Sequence, residues 1–345
     1  MSYEVVLPPP DLDGIVINLK LSQIQRQRCG DEVLNRKPKV ILIAGPTASG
    51  KTALSLYLAQ HLGIEIISAD SVQVYRGMDI GTAKVSPQER QIVPHYLIDT
   101  QPIKEQFNVA DFHRGATEAI KHICARGKVP VIVGGTGFYF HSLLYGMPDS
   151  PPTNLALRKT LEQEMDILGL EVMYDNLAAK DPNYAQTISR RDRQKIIRGL
   201  EIIELTGRKV SDNEWKERSP STQYDFRCWF VTRPREILYK RVEQRCDQMI
   251  QDGLINEVMT LEDYGLRDNN SAAQAIGYRQ VLDYLATDQT ATDYTKFIED
   301  LKTASRHYVK RQLTWFKREP LFRWLDIEEL GMEQVAQIIL EDYNN

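Results

Sequence analysis

The sequence lacks the features that mark secreted, membrane-spanning and disulfide-rich proteins. Its four cysteines are isolated and form no C-x-x-C pair, which argues against a disulfide framework and a structural zinc site. No apolar run approaches the roughly 18 residues that cross a bilayer. The first residues also lack the basic-then-apolar order of a secretory signal. We therefore expect a cytoplasmic protein without a membrane segment.

An excess of one charge is also missing. The 43 Lys and Arg nearly balance the 47 Asp and Glu, so the chain as a whole is not a basic nucleic-acid coat. Hydrophobic residues make up 42% of the 345 positions, which is ample for a sizeable core and typical of a globular protein. A chain of this length is expected to form about two domains.

Buried strands alternate with helices in the first half of the chain. The runs KVILIAG, IEIISAD and VPVIVGG are rich in β-branched and aliphatic residues and begin at residues 39, 64 and 129. Such runs are typical of parallel strands covered on both faces. Helix-like segments follow or precede them, including TALSLYLAQHLG at 52–63, and CWFVTRP at 228–234 resembles a returning strand. The pattern predicts an α/β fold with a parallel sheet flanked by helices.

The pattern changes after Tyr145, where GMPDSPPTN contains three prolines and resembles a linker. The residues that follow are charged and helical as far as about 206, with no strand signal. We predict an α/β core at 37–147 and 216–345, with a helical C-terminal part, interrupted by an all-helical insertion domain at 148–215. Residues 1–36 form an N-terminal extension to which the sequence assigns no role.

A phosphate-binding loop joins the first strand to the first helix. Residues 45–52 fit the pattern G-x-x-x-x-G-K-[ST], in which glycines let backbone N–H groups converge on phosphate oxygens. The helix N-terminus adds a favourable dipole. Lys51 supplies a charge, and the Thr52 hydroxyl is placed to ligate Mg²⁺. The predicted diphosphate-binding or nucleotide-binding residues are Gly45, Pro46, Thr47, Ala48, Ser49, Gly50, Lys51 and Thr52.

Two common classes of phosphate-loop protein fit poorly. The strand VPVIV runs into Gly134-Gly135-Thr136 without the acidic residue that holds Mg²⁺ in many ATPases, and no N-K-x-D string for guanine occurs. An acidic residue, Asp70, does follow the second strand. Carboxyl ends of parallel strands line the ligand crevice, so Asp70 and Thr136 are expected to face the same pocket as Lys51. Asp70 could equally cap the next short helix.

Five stretches resemble the tRNA dimethylallyltransferase family. They are GPTASGKT, ISADSVQVYRGMDIGTAK at 67–84, VPVIVGGTGFYF at 129–140, AQAIGYRQ at 273–280 and RHYVKRQLTWF at 306–316. The resemblance runs from about residue 39 to 320, with the motifs in the family's order. It implies a phosphate-loop core that transfers a dimethylallyl group from dimethylallyl diphosphate to N6 of the adenosine 3′ to the anticodon, tRNA position 37.

The resemblance also implies roles for individual residues. The loop would hold the donor diphosphate, with Mg²⁺ on Thr52 as cofactor. Asp70 matches the family's catalytic aspartate and would act as general base. Thr136 matches a residue near the reacting centre, and Arg245 matches one that helps hold the diphosphate, although Arg241 is also nearby. No Asp-Asp dipeptide occurs, so the D-D-x-x-D clamp of isoprenyl-chain synthases is absent.

Basic residues are concentrated in two stretches, as an RNA-binding surface requires. Residues 188–210 hold seven Lys or Arg against three acidic residues, and residues 302–318 hold six against none. In the second stretch, Tyr308, Trp315 and Phe316 could stack on unpaired bases or pack in the core. Gln73 could read an adenine edge or lie at the pocket rim. We expect a monomer that binds the tRNA anticodon stem-loop. The resemblance implies tRNA contacts at Asp70, Ser71, Val72, Gln73, Gln194, Lys195, Ile196, Ile197, Arg198, Gln274, Gly277, Tyr278, Arg279, Lys310, Arg311, Gln312, Trp315 and Lys317.

Three other functions compete with this interpretation. An adenylate isopentenyltransferase would share the loop and the base but would need neither basic stretch. A small-molecule or nucleotide kinase would place ATP on the loop and require no prenyl donor. A non-catalytic phosphate-loop RNA-binding protein would not depend on Asp70.

Overall fold

The centre of the computed structural model, which describes residues 37–147, 150–212 and 219–345, is a six-stranded sheet. Its hydrogen-bonded neighbours are all parallel, in the order β3-β2-β4-β1-β5-β6. This confirms the predicted α/β fold. The strands are β1 Lys39–Ala44, β2 Ile64–Ala69, β3 His95–Tyr96, β4 Val129–Gly134, β5 Asp225–Thr232 and β6 Arg323–Asp326.

Successive residues of the central strand β1 point to opposite faces of the sheet. Val40, Leu42 and Ala44 join one hydrophobic cluster, whereas Ile41 and Ile43 join a second cluster on the other face. All five side chains are fully buried. This two-sided burial is why the strands read as continuous apolar runs rather than alternating ones.

Helices cover both faces of the sheet. None of the helices in the described residues is long and apolar enough to cross a membrane. The helices are α1 Lys51–His61, α2 Pro87–Ile92, α3 Val109–Ala125, α4 Gly137–Tyr145, α5 Leu155–Leu168, α6 Leu170–Lys180, α7 Pro182–Gln186, α8 Arg193–Thr206, α9 Arg235–Gln251, α10 Leu254–Asp263, α11 Asn270–Ala273, α12 Tyr278–Leu285, α13 Ala291–Phe316, α14 Ile327–Leu330 and α15 Met332–Asn344.

The four helices α5–α8 lie between α4 and β5 in the chain and pack around a hydrophobic cluster of their own. Met165, Leu177 and Ile197 are among its buried members. Glu201 is fully buried on α8, where it pairs with Arg198 and accepts a hydrogen bond from the Asn154 amide. A buried carboxylate requires such partners, so this contact joins the start of α5 to α8. The predicted N-terminal extension, residues 1–36, lies outside the described residues.

Candidate active site at the carboxyl end of the sheet

The loop between β1 and α1 turns sharply through two residues with positive φ. Ala48 has φ of 63° and Gly50 has φ of 103°, just before α1 begins at Lys51. The left-handed region suits glycine because it has no Cβ. The loop and the first turn of α1 therefore present backbone N–H groups at a helix N-terminus, which is a ready-made anion site.

Side chains fix the carbonyl groups of this loop. Lys51 Nζ donates to the carbonyls of Gly45 at 2.8 Å and Pro46 at 2.7 Å. Arg241 Nε donates to the Ala48 carbonyl at 2.9 Å, and Arg233 Nε donates to the Ser49 carbonyl at 3.1 Å. Four carbonyls are thus bound by three cations, which preorganises the loop and surrounds it with positive charge.

Electrostatics at Lys51 reflect its enclosure. Its pKa is lowered to about 7, mainly by burial and also by the neighbouring Arg245, while the charge of Asp70 acts in the opposite direction. Burial likewise lowers the pKa of Arg245, and Asp70 again opposes the change. Two cations and one carboxylate therefore converge here, and an additional anion would stabilise both charged cations.

Asp70 directly follows β2, as predicted. Its Oδ1 accepts hydrogen bonds from the amides of Val72 at 2.8 Å and Gln73 at 3.2 Å. The carboxylate thus caps a turn, since no helix follows at these residues. Its Oδ2 has no hydrogen-bond partner among the residues that the structure describes. Capping and catalysis are therefore compatible, because one oxygen orients the group and the other stays available.

Two cavities meet at Asp70. The first, of about 560 Å³, extends along the phosphate loop and α1. The second, of about 320 Å³, is lined by Ser71, Cys246, Gln274 and Arg311. Both cavities are lined by five shared residues, which are Thr47, Asp70, Thr82, Arg245 and Tyr308. Asp70 can therefore be reached from both cavities.

Tyr308 is a site residue whose position the sequence did not reveal. Its hydroxyl lies close to the side chains of Thr136 and Gln312, and burial together with the charge of Asp70 raises its pKa. The hydroxyl accordingly stays protonated at neutral pH. Arg245 Nη2 donates to the Thr82 carbonyl at 2.9 Å, so Arg245 is anchored in the wall that both cavities share. The sequence indicated only that Tyr308 stacks on bases or packs in the core, because helical spacing alone does not show that it lies beside Thr136 and Gln312.

The predicted RNA-contacting residues fall into three groups by exposure. The exposed ones are Gln194, Lys195, Gln274, Arg279, Lys310, Arg311 and Lys317. The partly buried ones are Asp70, Ser71, Val72, Gln73, Arg198 and Trp315. The buried ones are Ile196, Ile197, Gly277, Tyr278 and Gln312.

The buried group requires a correction. Ile196 and Ile197 are packed in the cluster of α5–α8, and Tyr278 is 0% exposed with its hydroxyl donating to Glu257 at 2.7 Å. Gln312 is bonded on both sides by protein groups. A helix exposes one face only, so contiguous helical residues cannot all reach RNA. The side chains of Ile196, Ile197 and Tyr278 serve packing, and that of Gln312 joins two segments of the chain by hydrogen bonds; we remove these four residues and the buried Gly277 from the contact set.

Two partly buried residues are also engaged within the protein. Arg198 pairs with Glu201 and donates to the Pro151 carbonyl at 2.5 Å. Gln73 accepts from the Ser68 hydroxyl and donates to the Thr82 carbonyl, both at 3.3 Å. Such long bonds are at the weak end of the range and leave Gln73 free to exchange partners.

A cleft of about 630 Å³ lies beside the second cavity, and Arg311 lines both. Phe138 on α4 is 42% exposed there and faces the cleft together with Trp315 of α13. Lys310, Arg311 and Arg318 also line it and form no salt bridge within the described ranges. Aromatic rings beside unpaired cations are suited to single-stranded nucleic acid.

The described part of the chain contains no cluster of three or more His, Cys, Asp or Glu that could hold a metal ion. Thr52 is exposed and lines the first cavity beside Lys51. Mg²⁺ commonly retains several waters and takes only one or two protein ligands in addition to substrate phosphates. The Thr52 hydroxyl therefore fits a metal that is shared with a bound diphosphate.

Comparison with known proteins agrees with this geometry. The tRNA dimethylallyltransferase of Protochlamydia amoebophila (strain UWE25) is 52% identical over 333 residues, covering 96% of both chains. Because 333 of the 345 residues are matched, this similarity includes part of residues 1–36. The tRNA dimethylallyltransferase of Chlamydia abortus is 50% identical over 308 residues, which cover 89% of this chain and 90% of the relative.

Solved structures share the fold. The crystal structure of tRNA delta(2)-isopentenylpyrophosphate transferase from Staphylococcus epidermidis has a TM-score of 0.64 and 36% identity, and covers 89% of this chain and 99% of its own. A eukaryotic dimethylallyltransferase acting on tRNA has a TM-score of 0.70 and 30% identity, with 84% and 74% covered. The IPP transferase family model matches residues 73–319. This chain therefore belongs to the IPP transferase family.

Proposed function

We propose that this protein transfers the dimethylallyl group of dimethylallyl diphosphate to N6 of adenosine 37 in tRNA, giving N6-(dimethylallyl)adenosine and diphosphate. The observation that carries the proposal is the position of Asp70, where a cavity along the phosphate loop meets a second cavity. A two-substrate transfer needs such an arrangement, because donor and acceptor must approach the same reacting atoms from different sides.

The donor would occupy the first cavity with its diphosphate on the loop amides. As the C1–oxygen bond breaks, negative charge accumulates on the leaving diphosphate. Lys51 and Arg245 would stabilise that charge, since both lie in the cavity wall and gain from an added anion. The Thr52 hydroxyl would hold Mg²⁺, whose Lewis acidity would further stabilise the charge on the leaving group.

The acceptor amine would enter through the second cavity. Its nitrogen forms the new bond to C1 of the dimethylallyl group, and its proton passes to Asp70 as general base. Oδ1 of Asp70 stays bonded to the turn amides, so Oδ2 is the oxygen available for the proton. Thr136 and the protonated Tyr308 hydroxyl would orient the groups beside Asp70.

The target adenosine must leave the stack of the anticodon loop to reach Asp70. Extrusion of a base costs less from a loop than from a duplex. The exposed cations Lys310, Arg311 and Lys317 would bind the RNA backbone, and Phe138 with Trp315 would stack an adjacent base. A tRNA substrate favours action in the cytoplasm, and the expectation of a monomer stays a prediction.

The helices α5–α8 would contact the anticodon stem through the exposed Gln194 and Lys195. We propose that they form the inserted domain predicted for residues 148–215. Arg191 and Lys209 extend the positive charge of this segment, and both are exposed. A contact distant from the reaction would increase affinity for a whole stem-loop over a free nucleotide, because it adds binding area that a nucleotide cannot use.

Labelled dimethylallyl diphosphate tests the proposal most simply. Purified protein and Mg²⁺ are incubated with unmodified tRNA or with AMP in parallel. Label in tRNA that maps to adenosine 37 is the expected result. Label in AMP alone would reassign the protein to free-nucleotide prenylation, and absence of label in both would contradict prenyl transfer.

A further inference from the structure

Side chains on one face of α13 line the two cavities and the cleft. Tyr308, Arg311, Gln312 and Trp315 are spaced three or four residues apart and therefore lie along the same side of the helix. Tyr308 lines both cavities, Arg311 lines the second cavity and the cleft, and Trp315 lines the cleft. Gln312 lies among them, is 5% exposed and lines the first cavity.

The Gln312 amide joins two segments that are distant in the chain. Its Oε1 accepts the Thr47 N–H of the phosphate loop at 2.9 Å. Its Nε2 donates to the carbonyl of Gly135 at 3.1 Å, one residue before Thr136. Both ends of the amide are thus satisfied, as a buried amide requires. The helix is fastened to the donor-binding loop and to the residue preceding Thr136 through this one side chain.

The close approach depends on the absence of a side chain at residue 135. A Cβ built on Gly135 would lie 2.1 Å from Gln312 Nε2, far inside van der Waals contact. It would also lie 3.3 Å from the Gly45 carbonyl of the phosphate loop. The end of β4, the phosphate loop and α13 are therefore packed without space between them, and Gln312 occupies the junction.

We propose that Gln312 is a positioning residue that couples docking of RNA on α13 to binding of the diphosphate donor on the phosphate loop. The inference rests on the proposed function, because it assigns the two cavities to those two substrates. Gln312 also lines the wall of the first cavity, and the coupling acts through its hydrogen bonds to Thr47 and Gly135.

The coupling follows from shared geometry. RNA that binds Arg311 and Lys310 restrains α13, and the restrained helix holds Gln312 and hence the Thr47 amide in place. A loop that is already held binds diphosphate without the cost of ordering it. By linkage, a bound donor improves RNA affinity by the same factor. Without the two hydrogen bonds of the Gln312 side-chain amide, binding of one substrate would not change the affinity for the other.

Two variants separate hydrogen bonding from packing. Gln312→Met keeps a long unbranched side chain but removes both bonds. Gln312→Glu keeps an acceptor for the Thr47 amide and loses the donor to the Gly135 carbonyl. The control is Gln280→Met, since Gln280 is also 5% exposed and bonds only the Gly277 amide of its own helix start.

The test measures the dissociation constant of dimethylallyl diphosphate by calorimetry, with and without a stem-loop whose target adenosine is replaced by purine riboside, which lacks the reacting amine. We expect wild-type protein to bind the donor more tightly with RNA. Gln312→Met should weaken donor binding about tenfold without RNA, from the loss of a buried hydrogen bond, and bring the RNA-dependent ratio close to one. In Gln312→Glu the RNA-dependent ratio should also fall close to one, but donor affinity should fall less than in Gln312→Met.

Steady-state kinetics supply a second readout. In Gln312→Met the KM for the donor should rise more than kcat falls, and Gln280→Met should lower thermal stability without changing donor affinity. A wild-type ratio of one, or variants that keep the wild-type donor affinity and ratio, would overturn the inference. Transfer of label to RNA by wild-type protein, measured in the same preparation, shows whether the proposed function holds independently.

Discussion

The proposed donor side and the proposed RNA side of this protein differ in construction. The proposed donor site comprises eight contiguous residues, and four of their carbonyls are bound by Lys51, Arg233 and Arg241. The proposed RNA surface includes exposed side chains on helices that are far apart in the chain, such as α8 and α13. The first is a backbone site with fixed geometry, and the second is a distributed patch of charge and aromatic rings.

This difference determines how well a sequence motif predicts the residues of a binding site. In a tight loop, consecutive residues all contribute to one site, so a motif identifies the whole site. In a helix, consecutive residues point in different directions, so a motif mixes contacts with core residues. Ile196 and Ile197 lie beside the exposed Lys195, but their side chains are in a hydrophobic cluster.

The largest effect is expected for Asp70→Asn, because Asp70 lies where the two cavities meet. Asparagine keeps an oxygen for the amides of Val72 and Gln73 but cannot accept the proton. We expect kcat to fall roughly 10²–10⁴-fold, which is the range for loss of a general base, with donor and RNA affinities nearly unchanged. Single-turnover kinetics with separate binding titrations measure this. A variant with wild-type turnover would reduce Asp70 to a turn cap.

Lys51→Met tests the donor side alone. It removes the charge and the hydrogen bonds to Gly45 and Pro46 while keeping an unbranched chain. Bonds to charged groups contribute roughly 1.5–3 kcal/mol, so donor affinity should fall about 10–100-fold. RNA affinity without donor should be unchanged in filter binding. Equal loss of both affinities would mean that the two sides are not separate.

Arg311→Ala tests the RNA side. It should weaken stem-loop binding several-fold and lower the slope of log affinity against log salt by about 0.7, as expected for one single-strand phosphate contact. Lys121→Ala is the control, because Lys121 is exposed on α3 and lines neither cavity nor the cleft. If Lys121→Ala changes stem-loop affinity and the salt slope as much as Arg311→Ala does, RNA affinity depends on net charge alone and the proposed RNA surface is wrong.

Tyr278→Phe should give the smallest effect and separates packing from RNA contact. The change removes one buried hydrogen bond, to Glu257, and should lower the free energy of unfolding by about 0.5–1.5 kcal/mol. Glu257 keeps its bonds to the amides of Asp79, Ile80 and Gly81. Urea unfolding measures the loss, and unchanged RNA affinity is expected. Weaker RNA binding by the folded variant would restore Tyr278 to the contact set.

Much of the fold was predictable from the sequence. Strands β1, β2 and β4 are rich in β-branched and aliphatic residues because they are buried on both faces, and the buried half of β5 was recognised from CWFVTRP. The strands β3 and β6 were missed, since two and four residues carry too little pattern to distinguish. The phosphate-binding loop and Asp70 follow the carboxyl ends of β1 and β2, as the sequence predicted. The roles of Tyr308 and Gln312 were not predictable, because they arise from contacts between residues more than 170 positions apart.

The structure of a ternary complex would test the account most directly. The protein would be crystallised with a non-hydrolysable dimethylallyl diphosphate analogue and an unmodified anticodon stem-loop. We predict the diphosphate on the loop of Gly45–Thr52, adenine 37 in the second cavity, and its exocyclic nitrogen within about 3 Å of Asp70, directly or through one water. A donor bound outside the loop cavity, or an adenine that enters without approaching Asp70, would contradict the account.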